Sequence, residues 1–326
     1  EVIQPYQQNV NQTVPADIEE GPDPRIPYFK HRQYVKIPDG SNGPLFSEHN
    51  HVPGLVECPN GDLLAAWYTC SWETQRNELG IAISRLRYGA DEWDNASPFW
   101  DAPDRNDHTT TFWKDETGKI YFFQGLGVST WEDCAILIRT SEDNGVTWSD
   151  PYWAMQEHNS AHGFVESSTF RNSLGNIVIT SDGLDEGTRL MISEDNGLTW
   201  RHSSGQTAGV HAPMAEIAGG GVIAFSRKAA IDGKMPVQYS YDWGESWTSR
   251  EASIFEPVSS GRRNVLLRLK EGPLLLVTFG TLGDTDMVCA VSYDDGQTWP
   301  EMKLMTDGSG DALETTDGDI FTLDSD

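Results

Sequence analysis

An all-β fold assembled from repeated four-stranded sheets is what the sequence predicts, and three observations predict it. One octet recurs along the chain at near-regular spacing, short apolar runs bounded by Gly or Asp separate its copies, and no long segment carries the periodicity of a helix. The octet runs Ser141–Trp148, Ser193–Trp200, Ser240–Trp247 and Ser292–Trp299, with the pattern Ser-x-Asp-x-Gly-x-Thr/Ser-Trp. A degraded copy runs from Ser84 through Gly89 to Trp93. Successive starts lie 57, 52, 47 and 52 residues apart, the length of one four-stranded propeller blade.

Each element has a local cause. The octet Asp accepts backbone N–H bonds in a turn, the Gly takes the φ > 0 position, and the Trp plugs the gap beside the hairpin. Between octets, Asp62–Tyr68, Lys119–Phe123, Asn176–Thr180 and Pro273–Phe279 read as strands. Residues 1–24 hold four prolines and read as an extended leader with no core of their own, and 25–326 read as the propeller domain. Five blades are evident. Asp317–Asp326 reads as the first strand of a sixth that the chain leaves incomplete by a C-terminal truncation, and Tyr34–Ile37 offers a closing strand.

Composition removes some functions. Twelve Trp are enough for a real core, and a net charge of −27 repels phosphate backbones and anionic lipid, which argues against nucleic-acid binding. No run reaches the roughly 18 apolar residues of a membrane span. Of the four cysteines none forms a CxxC pair, so no zinc-thiolate site is expected; Cys134 and Cys289 read as buried thiols, with a disulfide left open. The chain starts at Glu1 with no signal-like segment, which fits an exported product after processing or a trimmed chain. The expected setting is secreted or periplasmic, the expected state monomeric, with no cofactor and no metal.

The octet resembles the Asp-box of sialidases and related glycan-active propellers, over about residues 44–326. That resemblance implies a six-bladed sialidase-like β-propeller and a glycan partner. It also implies that the octets themselves are structural turns away from the active site.

Candidate site residues come from aligning blades on the Gly-turn after the inner strand. Ten residues before Gly61, Gly118, Gly221 and Gly272 stand His51, His108, His211 and Arg262. Before Gly175 the same count reaches Val165, with Glu166 beside it and His162 upstream. Equivalent positions in a propeller ring the central channel, where ligands bind, so a basic, proton-exchanging lining is expected. Strand-capping by these histidines is the plainer alternative. The sialidase family places an Arg-Ile-Pro motif at this position, whereas here it is His51-Val52-Pro53; Arg25-Ile26-Pro27 lies in the leader and reads as coincidence. The family's arginine triad is therefore not recoverable, although Arg262 or Arg263 can be a surviving member. The family's Tyr nucleophile falls near or past the end of the chain. The resemblance loosely assigns Glu166 to the glutamate that assists that Tyr, and Glu73 to the acid/base aspartate.

The resemblance implies, first, a sialidase-like exo-glycoside hydrolase acting on acidic or terminal sugars of a glycan, with a lyase and a binding module as alternatives; the residue chemistry by itself leans toward the lyase. A glycoside hydrolase needs two carboxyls or a carboxylate-activated Tyr, for which Glu73 and Glu166 stand first and Asp107 and Asp232 in reserve. His51, His108, His211 and His162 then bind hydroxyls, and Arg262 or Arg263 pairs with a substrate carboxylate. A polysaccharide lyase acting on uronic-acid linkages needs a base of near-neutral pKa, an acid and a cation; histidines, Tyr68 and Arg262 or Arg263 supply them, and ulvan lyases are sialidase-like propellers of this kind. A non-catalytic glycan-binding module would stack sugars on Trp67, Trp72, Trp113 and Trp131, most of which equally suit a core. A metal held by three histidines is the weakest idea, because ring positions on separate blades lie far apart for ligand bonds.

Overall fold

The computed structural model describes residues 3–18, 32–41, 44–47, 49–71, 78–128, 131, 134–155, 164–182, 187–258, 262–280 and 287–305, with the side chains of 164–167 excepted. Within them stand five four-stranded antiparallel sheets, each a simple meander of consecutive strands. The first sheet is β1 (His49–Glu57), β2 (Leu63–Cys70), β3 (Gly80–Leu86) and β4 (Ser97–Trp100). The second is β5 (Asn106–Lys114), β6 (Ile120–Gly127), β7 (Ala135–Ser141) and β8 (Tyr152–Trp153). The third is β9 (Phe164–Arg171), β10 (Ile177–Asp182), β11 (Thr188–Ser193) and β12 (Arg201–His202). The fourth is β13 (Met214–Glu216), β14 (Val222–Phe225), β15 (Pro236–Ser240) and β16 (Glu251–Ala252). The fifth is β17 (Val265–Arg268), β18 (Leu274–Phe279), β19 (Met287–Ser292) and β20 (Glu301–Leu304). Each is a propeller-type blade. The stretch read as the start of a sixth, 317–326, lies outside the described residues.

The chain divides into two compact units. Among the described residues, those up to 128 and 137–153 form the first, with the first two blades; those within 131–136 and 154–305 form the second, with the other three. Within a unit, neighbouring blades share an apolar layer. In the first unit, Val56, Leu64, Ile81 and Ile83 pack against Phe112, Ile120 and Phe122. In the second unit, Val178, Leu190 and Ile192 meet Met214, Val222 and Ala224, and Ile223 and Phe225 meet Leu266, Leu274 and Leu276. Both faces of a strand are thus covered, which is why every residue of β2 is buried.

The octets show how the layers are joined. In each, the Ser hydroxyl donates to the Asp, a Thr or Ser hydroxyl donates to the other Asp oxygen, and the Gly N–H donates to the Ser oxygen. The bonds from Thr199, Ser246 and Thr298 hold the Asp195, Asp242 and Asp294 carboxyls below their ordinary range. Two successive residues take the left-handed backbone, such as Asn144 (φ 59°) and Gly145 (φ 74°). The octet Trp belongs to the packing of the preceding blade as well as its own hairpin. Trp148 joins the core of the first blade, Trp247 that of the third and Trp299 that of the fourth. A Cβ on Gly145 would stand 2.4 Å from Leu64 Cδ1, and one on Gly296 2.3 Å from Ile223 Cδ1, so the glycines also permit this close approach.

Three expectations are corrected. Tyr34–Ile37 forms no strand; it is extended chain whose Tyr34 packs on Trp67 and Trp93 and whose Lys36 carbonyl accepts the Ala96 N–H. Cys289 is half-buried, at one of the two partly exposed positions of β19, while Cys58, Cys70 and Cys134 are buried and none of the four stands in a disulfide. The leader does share a core. Tyr6 is buried in the apolar layer of the first two blades. The fully buried Arg85 donates to the Tyr6 carbonyl (2.7 Å) and the Asn144 carbonyl (2.6 Å) and pairs with Asp62 (2.8 Å). A buried guanidinium held this way has its donors and its charge matched, as burial demands.

Candidate functional site

Two histidine sites emerge, one in each unit. In the first unit, His51 and His108 are each the third residue of a nine-residue inner strand. Directly after each, the ladder slips, between His51 and Gly54 and between His108 and Thr110. The slips are bulges, and the residues inside them take left-handed backbones, Val52 at φ 49° and Thr109 at φ 48°. Both are β-branched, for which this region costs about 1–3 kcal/mol. The surroundings hold them there. Thr109 Oγ1 accepts the Gly125 N–H (3.0 Å), and the Thr110 hydroxyl donates to the Val52 carbonyl (2.5 Å). Gly54 lets the strands approach, since a Cβ there would sit 2.4 Å from the Thr110 carbonyl oxygen.

The bulges bring the imidazoles onto one phenol. Tyr68 pairs across the ladder with His51. Its ring centroid lies 5.4 Å from His51, 4.7 Å from His108 and 6.0 Å from His49, and His49 lies 5.5 Å from His51. Tyr68 is fully buried, while the three histidines keep 6–8% of their surface exposed. The four rings are thus buried together, the histidines slightly less completely than the phenol. The count back from Gly61 does not single out His49, yet it sits two residues before His51 and so on the same strand face.

Asp107 is adjacent in sequence but serves the scaffold. It is fully buried, with the Ala102 N–H donating to Oδ2 (2.7 Å) and Gln124 Nε2 donating to Oδ1 (2.5 Å). Burial pushes its carboxyl up to about 7. Asp232, the other reserve carboxylate, is exposed in the Ile231–Lys234 turn. Trp67 is core and donates Nε1–H to Asn50, and Trp113 packs at a tilt against Tyr121.

In the second unit, His211 stands three residues before β13 and Arg262 three before β17. His211 has φ 52° and its backbone N–H donates to Asp182 Oδ2 (2.8 Å). Its Nδ1 lies 2.5 Å from the same oxygen. The Thr188 hydroxyl donates to Asp182 Oδ1 (2.5 Å) and accepts the Ala212 N–H (3.0 Å). The Trp131 ring lies 5.6 Å from the imidazole. Asp182 and Thr188 carry no sequence signal toward His211, because the contact spans 29 residues and two blades. Arg262 lays its guanidinium over the Phe279 ring at 5.2 Å, and its carbonyl accepts from Arg227. Arg263 is half-buried beside it.

Glu73, Trp72 and His162 lie outside the described residues, and Glu166 is placed in β9 without a described side chain. Among the described residues no three His, Cys, Asp or Glu group to hold a metal ion. Among the same residues no helix is long and apolar enough to cross a membrane.

Sequence comparison then supplies the family: the model of the BNR repeat-like domain matches residues 61–320. The chain belongs to the BNR repeat-like domain family. A sialidase of Micromonospora viridifaciens is 28% identical over 53% of this BNR chain and 30% of its own length, so the chain spans under a third of that relative. The Hadza microbial sialidase Hz136 superposes with a TM-score of 0.65 at 20% identity, over 80% of this chain and 60% of its own. The Trypanosoma rangeli sialidase does so with 0.57 at 16% identity, over 82% and 51%. A Dyadobacter fermentans protein of unknown function gives 0.62 at 16%, over 79% and 83%. At these identities the likenesses establish the sialidase-type propeller fold of the BNR chain.

Proposed function

We propose that the chain cleaves glycosidic linkages at acidic sugars of a glycan, with the histidines of the first unit moving the proton. One observation supports this above the others: His49, His51 and His108 gathered within 6.0 Å of the buried Tyr68. Imidazole is the side chain that gives and takes a proton near neutral pH. Three of them on rigid inner strands, two directly followed by strained bulges, form a preorganised proton-handling cluster. Tyr68 is the ring that sets their spacing.

β-Elimination at a uronic-acid linkage fits this chemistry best. A neutral imidazole removes the proton next to the carboxylate, and a second, protonated one offsets the carboxylate's charge. Within the second unit, taken by itself, Arg262 and Arg263 are candidate carboxylate ligands, since the planar guanidinium fork matches a carboxylate. Sialidase-like exo-hydrolysis is the second reading, favoured by the relatives that are sialidases. It relies on Glu73 and Glu166, with His162 and Trp72 as sugar contacts. Either route places the protein outside the cytoplasm, where such glycans are.

The test is digestion of uronate polysaccharides and of sialylated glycans by the whole chain. Growth of the ultraviolet absorbance of an unsaturated uronate supports elimination. Sugar release without that absorbance supports hydrolysis. Saturable glycan binding without cleavage would overturn both and leave a binding module.

A further inference from the structure

We infer that Asp182 is the positioning residue of His211 and makes its Nε2 a second proton-accepting nitrogen of the glycan-cleaving protein, an assignment that rests on the function proposed above. The geometry is that of a carboxylate–imidazole dyad. Nδ1 lies 2.5 Å from Asp182 Oδ2, and a carboxylate at that distance favours a proton on the nitrogen that faces it. The neutral imidazole is therefore the Nδ1–H tautomer, and Nε2 carries the lone pair.

The carboxylate is itself fixed. Its oxygens accept the Thr188 hydroxyl (2.5 Å) and the His211 backbone N–H (2.8 Å), and both it and His211 are buried, at 1% and 5% exposure. The segment that carries His211 is tied on both sides. Thr207 exchanges bonds with Thr188, and Val210 pairs with Arg227 in a bridge. Gly209 permits the approach, because a Cβ there would lie 2.4 Å from the Arg227 carbonyl oxygen. His211 is thus held in a left-handed backbone while its ring is clamped between a carboxylate and Trp131. Strain retained under so many constraints marks a side chain whose direction matters.

The proton step balances. Nε2 forms a bond to the proton at C5 of the uronate, the C5–H electron pair becomes the C4–C5 double bond, the C4–O bond breaks with its pair on the leaving oxygen, which takes a proton from solvent, and Asp182 offsets the imidazolium charge without taking the Nδ1 proton. The proton leaves to solvent when product departs.

Long-range 1H–15N spectra of the labelled chain test this, with His211 identified by the signal lost in His211→Gln. The wild type should show Nδ1–H and an unprotonated Nε2. Asp182→Asn should shift the population toward Nε2–H and lower kcat about 10²–10⁴-fold with KM changed only a few-fold. Thr188→Val, which removes one donor and keeps the charge, should lower kcat only a few-fold, and serves if Asp182→Asn does not fold. An Nε2–H tautomer in the wild type, or Asp182→Asn with tautomer and kcat unchanged, overturns the assignment. A wild-type chain that turns over no acidic glycan removes the glycan-cleaving function, while the spectrum still decides whether Asp182 sets the imidazole.

Discussion

The two histidine sites are built on opposite principles. In the first unit three imidazoles are positioned by one another and by the buried ring of Tyr68. In the second a single imidazole is positioned by the Asp182 carboxylate. Aromatic packing fixes where a ring lies and by itself selects no tautomer. A carboxylate fixes the ring and the tautomer together. The first arrangement suits proton exchange among neighbours, and the second suits one nitrogen with one task.

The buried aspartates sharpen the contrast and give the largest expected effect. Asp182 faces an imidazole, whereas Asp107 is buried among uncharged donors and its carboxyl is pushed up to about 7 from an ordinary 3.8. The folded chain therefore keeps a proton that the unfolded chain releases above about pH 4. Stability from this group is fully present below that range and is lost as pH rises through about 7. Each tenfold gain in proton affinity on folding is worth ~1.4 kcal/mol, so denaturant melts should show the wild type losing up to about 4 kcal/mol between about pH 4 and 8. Asp107→Asn should flatten that slope, and an unchanged slope would mean that Asp107 is not the buried acid.

Next in size are His51→Ala and His108→Ala, each expected to cut turnover about a hundredfold or more. If the cluster works as one, the double variant should fall little below the worse single. Fully multiplicative losses would break it into independent residues, and full activity in either single variant would remove that residue from the chemistry. The smallest effect is expected for Tyr68→Phe. A ring that only spaces the imidazoles tolerates loss of its hydroxyl, so kcat should drop less than about tenfold, on the order of 1 kcal/mol. A hundredfold drop would make the phenol itself an acid.

Much of the fold is legible because the octet states its own mechanics. A Ser, an Asp and a Gly at fixed offsets fix the turn, and the Trp fixes the blade interface. The count back from the Gly-turn lands His51 and His108 on the same position of two equal strands. The bulges after them are not legible, since Val52 and Thr109 are residue types that oppose a left-handed backbone. They exist because Thr110, Gly125 and Gly54 enforce them across strands. His49 is within reach of strand parity. Asp182 is not, because only the juxtaposition of two blades brings it to His211.

The octet Trp has a consequence for how the chain comes to be. Trp148, Trp247 and Trp299 each complete the interior of the blade before their own. During N-to-C synthesis a newly made blade thus stays unsealed until the next octet leaves the ribosome, a lag of one repeat. The nascent chain carries its most recent blade open, and the vulnerable surface moves along with growth instead of accumulating.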